Sequence, residues 1–121
     1  MTISATRHEP GEQPAADTLT PRISLMTVEG VAFLYAQGEI DLAVADNLRA
    51  LGADAINAYI GTIRIDLSEV TFMDSTGLAA LIGIRNAALA SGRVLILQAP
   101  SPRVRKILDI TNLSDVFAIE D

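Results

Sequence analysis

The sequence predicts one α/β domain built on a mixed β-sheet, and three observations lead to this prediction. Two β-rich runs, RISLMTVEG and VAFLYAQGEI, stand next to each other in the first third of the chain. After them, segments with a helical spacing of apolar residues alternate with short strand-like runs. The chain has 121 residues and 50% of them are hydrophobic, which is enough for one buried core but not for two. An N-terminal hairpin followed by alternating helices and strands is typical of a mixed sheet with helices packed against it.

The first elements follow from turn and cap signals. Glu29 and Gly30 separate the two β-rich runs, so we predict a hairpin there. Asp41 stands where the N-cap of a helix is expected, and the helix is predicted to extend to about Ala58. The residues that repeat at helical spacing in this segment are Leu42, Ala45, Leu48, Gly52, Ala55 and Ile56.

The remaining elements continue the alternation. The run TIRIDL alternates apolar with polar residues and predicts a strand with one buried face. The run SEVTFM is expected to be a loop, and the stretch after it a helix that stops at Ser91 and Gly92. RVLILQA predicts another strand, and Ser101 followed by Pro102 predicts the start of a third helix. The run VFAI is left open between a short strand and the edge of a terminal helix.

Composition excludes several classes of function. The formal net charge is −6, which argues against binding to nucleic acid or to an anionic membrane. No apolar run approaches the ~20 residues that a transmembrane helix needs. The chain has no Cys and its only His is His8, so a Ser-His-Asp triad or a His-based metal site lacks its ring. We therefore predict a cytoplasmic protein that is not an enzyme, with no catalytic residue, metal, cofactor or membrane insertion.

Residues 1–20 show no hydrophobic periodicity and are rich in Pro, Thr, Ala and acidic residues. They contain no apolar segment of the kind found in a secretory signal peptide. We interpret them as a disordered N-terminal tail that precedes a domain at residues 21–121.

The candidate functional site is the run DSTG, residues 74–77, at the predicted start of the second helix. Function in α/β domains tends to lie where a strand gives way to a helix. Capping by Asp74 or Ser75 is one explanation, but two adjacent hydroxyls, Ser75 and Thr76, exceed what one cap requires. A serine at a helix N-terminus is also a well-placed phosphate acceptor, because the unpaired N–H groups can hold phosphoryl oxygens. A phosphate beside Asp74 would add nearly two negative charges and repel a partner that binds the neutral site.

The second helix is more apolar than one core-facing stripe requires. Its large apolar residues cover an arc of about 160° at 100° per residue, so we expect part of the arc to face a partner. These residues are Leu78, Leu81, Ile82, Ile84 and Leu89, with Arg85 inside the arc. Gly77 and Gly83 each cost about 1 kcal/mol in a helix. A glycine in the first turn lets another surface approach closely; packing against the sheet is the alternative for both, and the one we favour for Gly83.

Three runs resemble the bacterial anti-sigma factor antagonists of the STAS domain family: GEIDLAVADNL, IDLSEVTFMDSTGLAALIG and PSPRVRKILDITNLSDVF. The resemblance covers about residues 20–121 and implies the STAS fold, a mixed β-sheet flanked by helices. It implies that the unphosphorylated protein binds an anti-sigma factor, usually a serine kinase with a GHKL ATPase fold, and so releases the sigma factor. The kinase would phosphorylate Ser75 and switch binding off, and a PP2C-type phosphatase would restore it. The protein is then a partner-switching regulator of transcription of the stress-response type.

The resemblance also assigns residues. Ser75 matches the phosphate acceptor, Thr76 the second hydroxyl, and Asp41 an acidic residue near the phosphoserine, with a plain N-cap as the alternative for Asp41. The predicted surroundings of the phosphorylation site are Asp41, Asp74, Thr76 and Gly77. The predicted partner-binding residues are Glu39, Asp41, Met73, Ser75, Thr76, Leu78, Ile82 and Arg85. The free protein is expected to be a monomer or a weak dimer.

Other interpretations stay open. A cytoplasmic STAS subunit of a membrane lipid-transport (ABC) complex would have the same fold. Asp41 and Asp74 could hold Mg²⁺ in an enzyme, although no Gly-rich phosphate loop with its Lys is present. Phe72 is interpreted as packing in the core or the loop. Three cations near the start of the third helix are interpreted as a solvated face, with Arg105–Asp109 as an i,i+4 pair; a partner contact is the alternative for Arg103, Arg105 and Lys106.

Overall fold

The computed structural model describes residues 2–4, 22–58 and 61–121. The elements are β1 (Thr2–Ser4), β2 (Ile23–Val28), β3 (Val31–Ile40), α1 (Leu42–Ala58), β4 (Thr62–Met73), α2 (Ser75–Ala90), β5 (Val94–Gln98), α3 (Pro102–Ile110) and β6 (Ala118–Glu120). Inside the predicted disordered tail, Thr2–Ser4 instead pairs with β2. The rest of that predicted tail lies outside the described residues.

The strands form one mixed sheet whose spatial order is their order in the chain. The first three strands are antiparallel, and β3 to β6 are parallel. The predicted hairpin is confirmed, because Val28 pairs with Val31 across a two-residue turn. Glu29 and Gly30 have φ values of 49° and 81°, the left-handed pair that a tight hairpin turn with the native strand twist requires. VFAI contributes to β6, so this run forms a short strand and not the edge of a terminal helix.

Strand β4 is longer than predicted, because SEVTFM is part of the strand rather than a loop. The Asp66 carboxylate accepts hydrogen bonds from the Ser68 N–H (2.9 Å) and hydroxyl (2.7 Å). Near this point the register against β3 shifts, and it shifts again before Phe72. Such bulges break the alternation of buried and exposed residues, which is why the sequence pattern hid this half of the strand. Asp74 alone therefore separates β4 from α2.

The core lies between the sheet and the helices α1 and α2, which also pack against each other. The close approach of the two helices depends on Gly52, where a Cβ would come within 2.7 Å of Cγ1 of Ile84. Most of the residues predicted from helical spacing in α1 are buried. Leu42 is the exception, because its position in the first turn leaves it 61% exposed.

Helix α3 packs against β4 and begins as predicted. The Ser101 hydroxyl accepts a hydrogen bond from the Val104 N–H at 3.3 Å, and Pro102 occupies the first turn. The predicted Arg105–Asp109 pair is wrong: Arg105 pairs with the Asp121 side chain, and the Asp109 carboxylate accepts a hydrogen bond from the Ser114 hydroxyl. Asp121 lies outside α3, so the i,i+4 rule could not have identified it as the partner of Arg105.

Candidate functional site

Two helix N-termini meet at one edge of the sheet. Strands β3 and β4 are parallel, and their last residues, Ile40 and Met73, are partners in the register. Neighbouring strands lie about 4.8 Å apart. The next residues, Asp41 and Asp74, therefore leave the sheet side by side, and each begins a helix. Asp41 therefore follows the strand end that neighbours the DSTG run, and its role beside a phosphorylated Ser75 stays a prediction.

Asp74 is the N-cap of α2. One of its carboxylate oxygens, Oδ1, accepts hydrogen bonds from the Thr76 N–H at 2.9 Å and from the Thr76 hydroxyl at 2.6 Å. The hydroxyl bond first, and then the backbone bond, lower the pKa of the Asp74 carboxyl below its ordinary value. A cap that stays ionised suits the positive end of the helix dipole. Thr76 is half-buried and its hydroxyl is engaged inside the protein.

Ser75 is in a different situation from its neighbour. It is the first residue of α2 and is exposed. Within the described part of the chain its hydroxyl makes no side-chain hydrogen bond. The structure therefore distinguishes the two adjacent hydroxyls, which the sequence alone did not. The Thr76 hydroxyl completes the cap, and the Ser75 hydroxyl faces solvent at a helix N-terminus.

Asp41 caps α1 in the same manner, since its Oδ1 accepts a hydrogen bond from the Val44 N–H at 3.0 Å. Asp41 and Glu39 are exposed, so two exposed carboxylates stand at the end of β3, and Asp74 stands at the end of the neighbouring strand β4. Two exposed apolar side chains share this edge and were not predicted to do so: Leu42 and Phe72, the latter 42% exposed. Their hydrophobicity suggested core positions, and only their place next to caps and bulges could have indicated otherwise.

Two predicted partner-binding residues are buried instead. Met73 is 4% exposed and Leu78 is 6% exposed, because the end of β4 and the inner side of α2 turn them into the core. Gly77 explains part of this packing: a Cβ there would stand 2.6 Å from Cγ of Met73. For Gly77, therefore, packing against the sheet is the correct alternative. We remove Met73 and Leu78 from the set of exposed partner contacts.

Further along α2 the predictions divide again. Ile82 is half-buried and packs on the core. Arg85 donates from Nε to the Val116 carbonyl at 3.0 Å, which ties α2 to the segment before β6. Gly83 is exposed, and a Cβ there would meet nothing within 4 Å. The favoured prediction that Gly83 packs against the sheet is therefore wrong, and no internal contact of the described residues explains this glycine.

The chemistry available at this edge is that of a modifiable hydroxyl among carboxylates. Both Asp41 and Asp74 use an oxygen to cap a helix. Among the described residues, no group of three or more His, Cys, Asp or Glu side chains is placed to hold a metal ion. In this same part of the chain, none of the helices combines the length and the apolar character needed to cross a bilayer.

Comparison with known proteins defines the class. A family model described as STAS domain matches residues 22–121. The anti-sigma-B factor antagonist of Listeria monocytogenes is 35% identical over 89 residues, which cover 73% of this chain and 77% of that protein. The chain belongs to the STAS domain family, as the resemblance of its motifs predicted.

Solved structures agree with this assignment. The anti-sigma factor antagonist SpoIIAA in its unphosphorylated form matches with a TM-score of 0.69 and 28% identity, over 80% of this chain and 86% of the other. The phosphorylated form of SpoIIAA, from Bacillus, matches with a TM-score of 0.64 and 27% identity, over 80% and 89% of the two chains. The predicted mixed α/β fold is confirmed.

Proposed function

We propose that this protein is an anti-sigma factor antagonist whose activity is switched by phosphorylation of Ser75. In this proposal the unphosphorylated form binds an anti-sigma factor that is also a serine kinase of the GHKL fold, and the sigma factor is released. The observation that carries the proposal is the contrast between the two hydroxyls. Thr76 is committed to the Asp74 cap, whereas Ser75 is exposed at the helix N-terminus. The names of the relatives and the phosphorylated form of SpoIIAA support the same function.

The binding surface is proposed to begin at Ser75 and continue along the outer side of α2. We define the α2 docking face as Ser75, Ala79, Ile82, Gly83 and Asn86, which are exposed or half-buried and recur at helical spacing. Gly83 supports this choice. It costs about 1 kcal/mol relative to Ala in a helix, yet a Cβ there would have open space. A partner that approaches the helix backbone would account for it.

The switch would act through charge. The Ser75 oxygen attacks the γ-phosphorus of ATP held by the kinase, ADP leaves, and the hydroxyl proton goes to the kinase. Phosphoserine carries nearly two negative charges at an edge that already holds Asp41 and Asp74. The helix N–H groups stabilise the phosphate within the protein. A partner that packs against Ala79 and Leu42 would face like charges and a desolvation cost. The phosphoryl transfer belongs to the kinase, and a PP2C-type phosphatase is proposed to reverse it.

The test compares four proteins: wild type, Ser75→Ala, Ser75→Asp and Ser91→Asp. Ser91 is exposed at the other end of α2, so its substitution adds the same charge away from the site. The anti-sigma factor is identified by affinity capture and mass spectrometry, then purified for calorimetry. We expect wild type, Ser75→Ala and Ser91→Asp to bind and Ser75→Asp to lose binding. Equal affinity of Ser75→Asp and wild type would remove the switch from the proposal.

Two further variants examine the acceptor and the surface. With the purified kinase and labelled ATP, Thr76→Val should still be phosphorylated and Ser75→Ala should not. Gly83→Leu should fold normally, because nothing lies within 4 Å of the added Cβ, and should weaken binding.

The alternative of a transporter subunit has fold likeness alone in its favour, since the sulfate transporter family protein from Wolinella succinogenes is 22% identical. Capture of transporter subunits equally by all four proteins would favour that alternative.

A further inference from the structure

One groove on the protein surface is not used by the proposed switch. It lies between the end of β4 and α3 and has a volume of about 210 Å³. We call it the β4–α3 groove. Its lining residues are Phe72, Met73, Arg103, Lys106, Ile107 and Ile110. The sequence interpretation treated the cations of α3 as a solvated face and Phe72 as packing, so it did not combine them into one surface.

The rim of the groove is positive in a chain with a net charge of −6. The Arg103 guanidinium lies 5.9 Å from the centroid of the Phe72 ring, and Lys106 is exposed. In the described part of the chain, neither cation pairs with a carboxylate, whereas Arg105 on the same helix does. Cations in the first turns of a helix oppose its dipole. Their position therefore does not stabilise α3, and it leaves two positive charges available to a partner.

The walls of the groove are apolar. Ile110 is 69% exposed and Phe72 is 42% exposed, while Ile107 is half-buried and packs on the core. Large apolar side chains that stay exposed next to one another are a common mark of an interaction surface. A groove with this composition fits an apolar side chain whose neighbour carries a carboxylate.

The groove is also connected to the switch. Met73 lies in its lining and packs so tightly against the first turn of α2 that a Cβ at Gly77 would come within 2.6 Å of its Cγ. Phe72 and Met73 directly precede Asp74 and Ser75 in the chain. The β4–α3 groove and the first turn of α2 therefore both contact Met73.

We propose that the β4–α3 groove is a second docking site for the same anti-sigma factor, and this inference rests on the proposed function. It receives a segment of the partner in which an acidic side chain stands next to an apolar one. The carboxylate pairs with Arg103 and Lys106, and the apolar side chain packs against Phe72 and Ile110. The two cations then gain the acidic partner that the described residues do not supply.

The test uses calorimetry with the purified anti-sigma factor that wild type captures. The double variant Arg103→Glu/Lys106→Glu should lower the affinity by about tenfold or more, and Ile110→Ser should lower it by several-fold. The matched controls are Arg49→Glu, an exposed cation of α1, and Val94→Ser, an exposed apolar residue of β5. The controls should stay within about twofold of wild type. Thermal melts by circular dichroism verify that each variant is folded.

A second measurement avoids substitution. Hydrogen exchange of the wild-type complex should slow in residues 102–110 as well as along α2. The groove proposal is overturned if exchange slows only along α2, or if the double charge reversal weakens binding no more than Arg49→Glu does. In both cases the proposed function would still be supported if Ser75→Asp loses binding to the anti-sigma factor. If wild type binds no anti-sigma factor, both proposals fall. If Ile110→Ser instead converts a self-associated wild type to monomer in sedimentation, the groove binds a second copy and the proposal is wrong.

Discussion

Gly77 and Met73 are in contact across the junction between β4 and α2. A Cβ at Gly77 would stand 2.6 Å from Cγ of Met73 and 3.0 Å from Cγ2 of Ile40. The first turn of the helix that carries Ser75 is therefore held against the last residues of β3 and β4. No side chain larger than hydrogen fits there without displacing one of these neighbours.

We predict opposite effects for the same substitution at the two glycines of α2. Gly77→Ala should lower the free energy of unfolding by about 1–3 kcal/mol, because the added methyl overpacks the junction. Gly83→Ala should raise it by about 0.5–1 kcal/mol, because helix propensity improves and the methyl has open space. Urea unfolding followed by circular dichroism measures both. A loss of stability in Gly83→Ala would mean that its surroundings are not open in solution.

A second prediction concerns the acid titration of Asp74. Thr76→Val removes the hydroxyl that contributes most to lowering the pKa of the Asp74 carboxyl, so this pKa should rise towards its ordinary value. Carboxyl-detected NMR titration of wild type and variant measures the difference. Ser75→Ala serves as the control and should leave the pKa unchanged. An unchanged pKa in Thr76→Val would contradict the cap geometry.

The same bond makes stability depend on pH with a definite sign. The pKa of Asp74 is lower in the folded state than in the unfolded state, so the unfolded chain binds the proton more readily. The stabilisation is complete above the unfolded value and is lost as the pH falls through the folded one. The stability difference between wild type and Thr76→Val should therefore be constant near neutral pH and shrink below about pH 4. A difference that grows on acidification would reverse the assigned sign.

A third prediction concerns the contact between α1 and α2. Gly52→Ala would bring a Cβ within 2.7 Å of Cγ1 and 2.8 Å of Cδ1 of Ile84, and should destabilise the fold by about 1–3 kcal/mol. Ile84→Val removes the Cδ1 methyl, so it should cost less in the Gly52→Ala background than in wild type. A double-mutant cycle from urea unfolding measures this coupling. Additive effects would mean that the two residues do not meet.

Arg85 is the subject of a fourth prediction. Sequence reasoning assigned it to partner binding, but its Nε–H donates to the Val116 carbonyl. Arg85→Ala should therefore lower the free energy of unfolding by about 0.5–1.5 kcal/mol and change the affinity for the anti-sigma factor by less than about twofold. Gly83→Leu is the matched comparison on the same helix: it should weaken binding to the anti-sigma factor without a loss of stability. A large loss of affinity in Arg85→Ala would return this residue to the interface.

Local signals were sufficient to predict most of the fold. The caps Asp41 and Ser101 and the Glu29–Gly30 turn depend on interactions within a few residues, so the sequence specifies them directly. The second half of β4 was missed, because the Asp66–Ser68 bulge disturbs the period of 2 on which strand recognition depends. Arg105 was paired with the wrong carboxylate, because the chain brings Asp121 next to it only after folding.

The position of the candidate site in the fold could be predicted from the sequence, whereas the burial of its individual residues could not. The DSTG motif located Ser75 and its carboxylates, because the motif and the cap coincide. Burial of Met73 and Leu78 could not be read from their hydrophobicity, which favours a core and an interface equally. Exposure of Leu42 and Phe72 depends on the bulges and on the first turn of α1, both of which lie beyond helical or strand periodicity.

The order of the strands in the sheet has a consequence for biosynthesis. Because each strand pairs with the one made just before it, the pairing partner of every strand has already been synthesised when that strand leaves the ribosome. Ser75 and the two aspartate caps have all been synthesised once α2 has left the ribosome. The β4–α3 groove exists only after the last helix has docked. A nascent chain thus contains the proposed phosphate acceptor before it contains both walls of the basic groove.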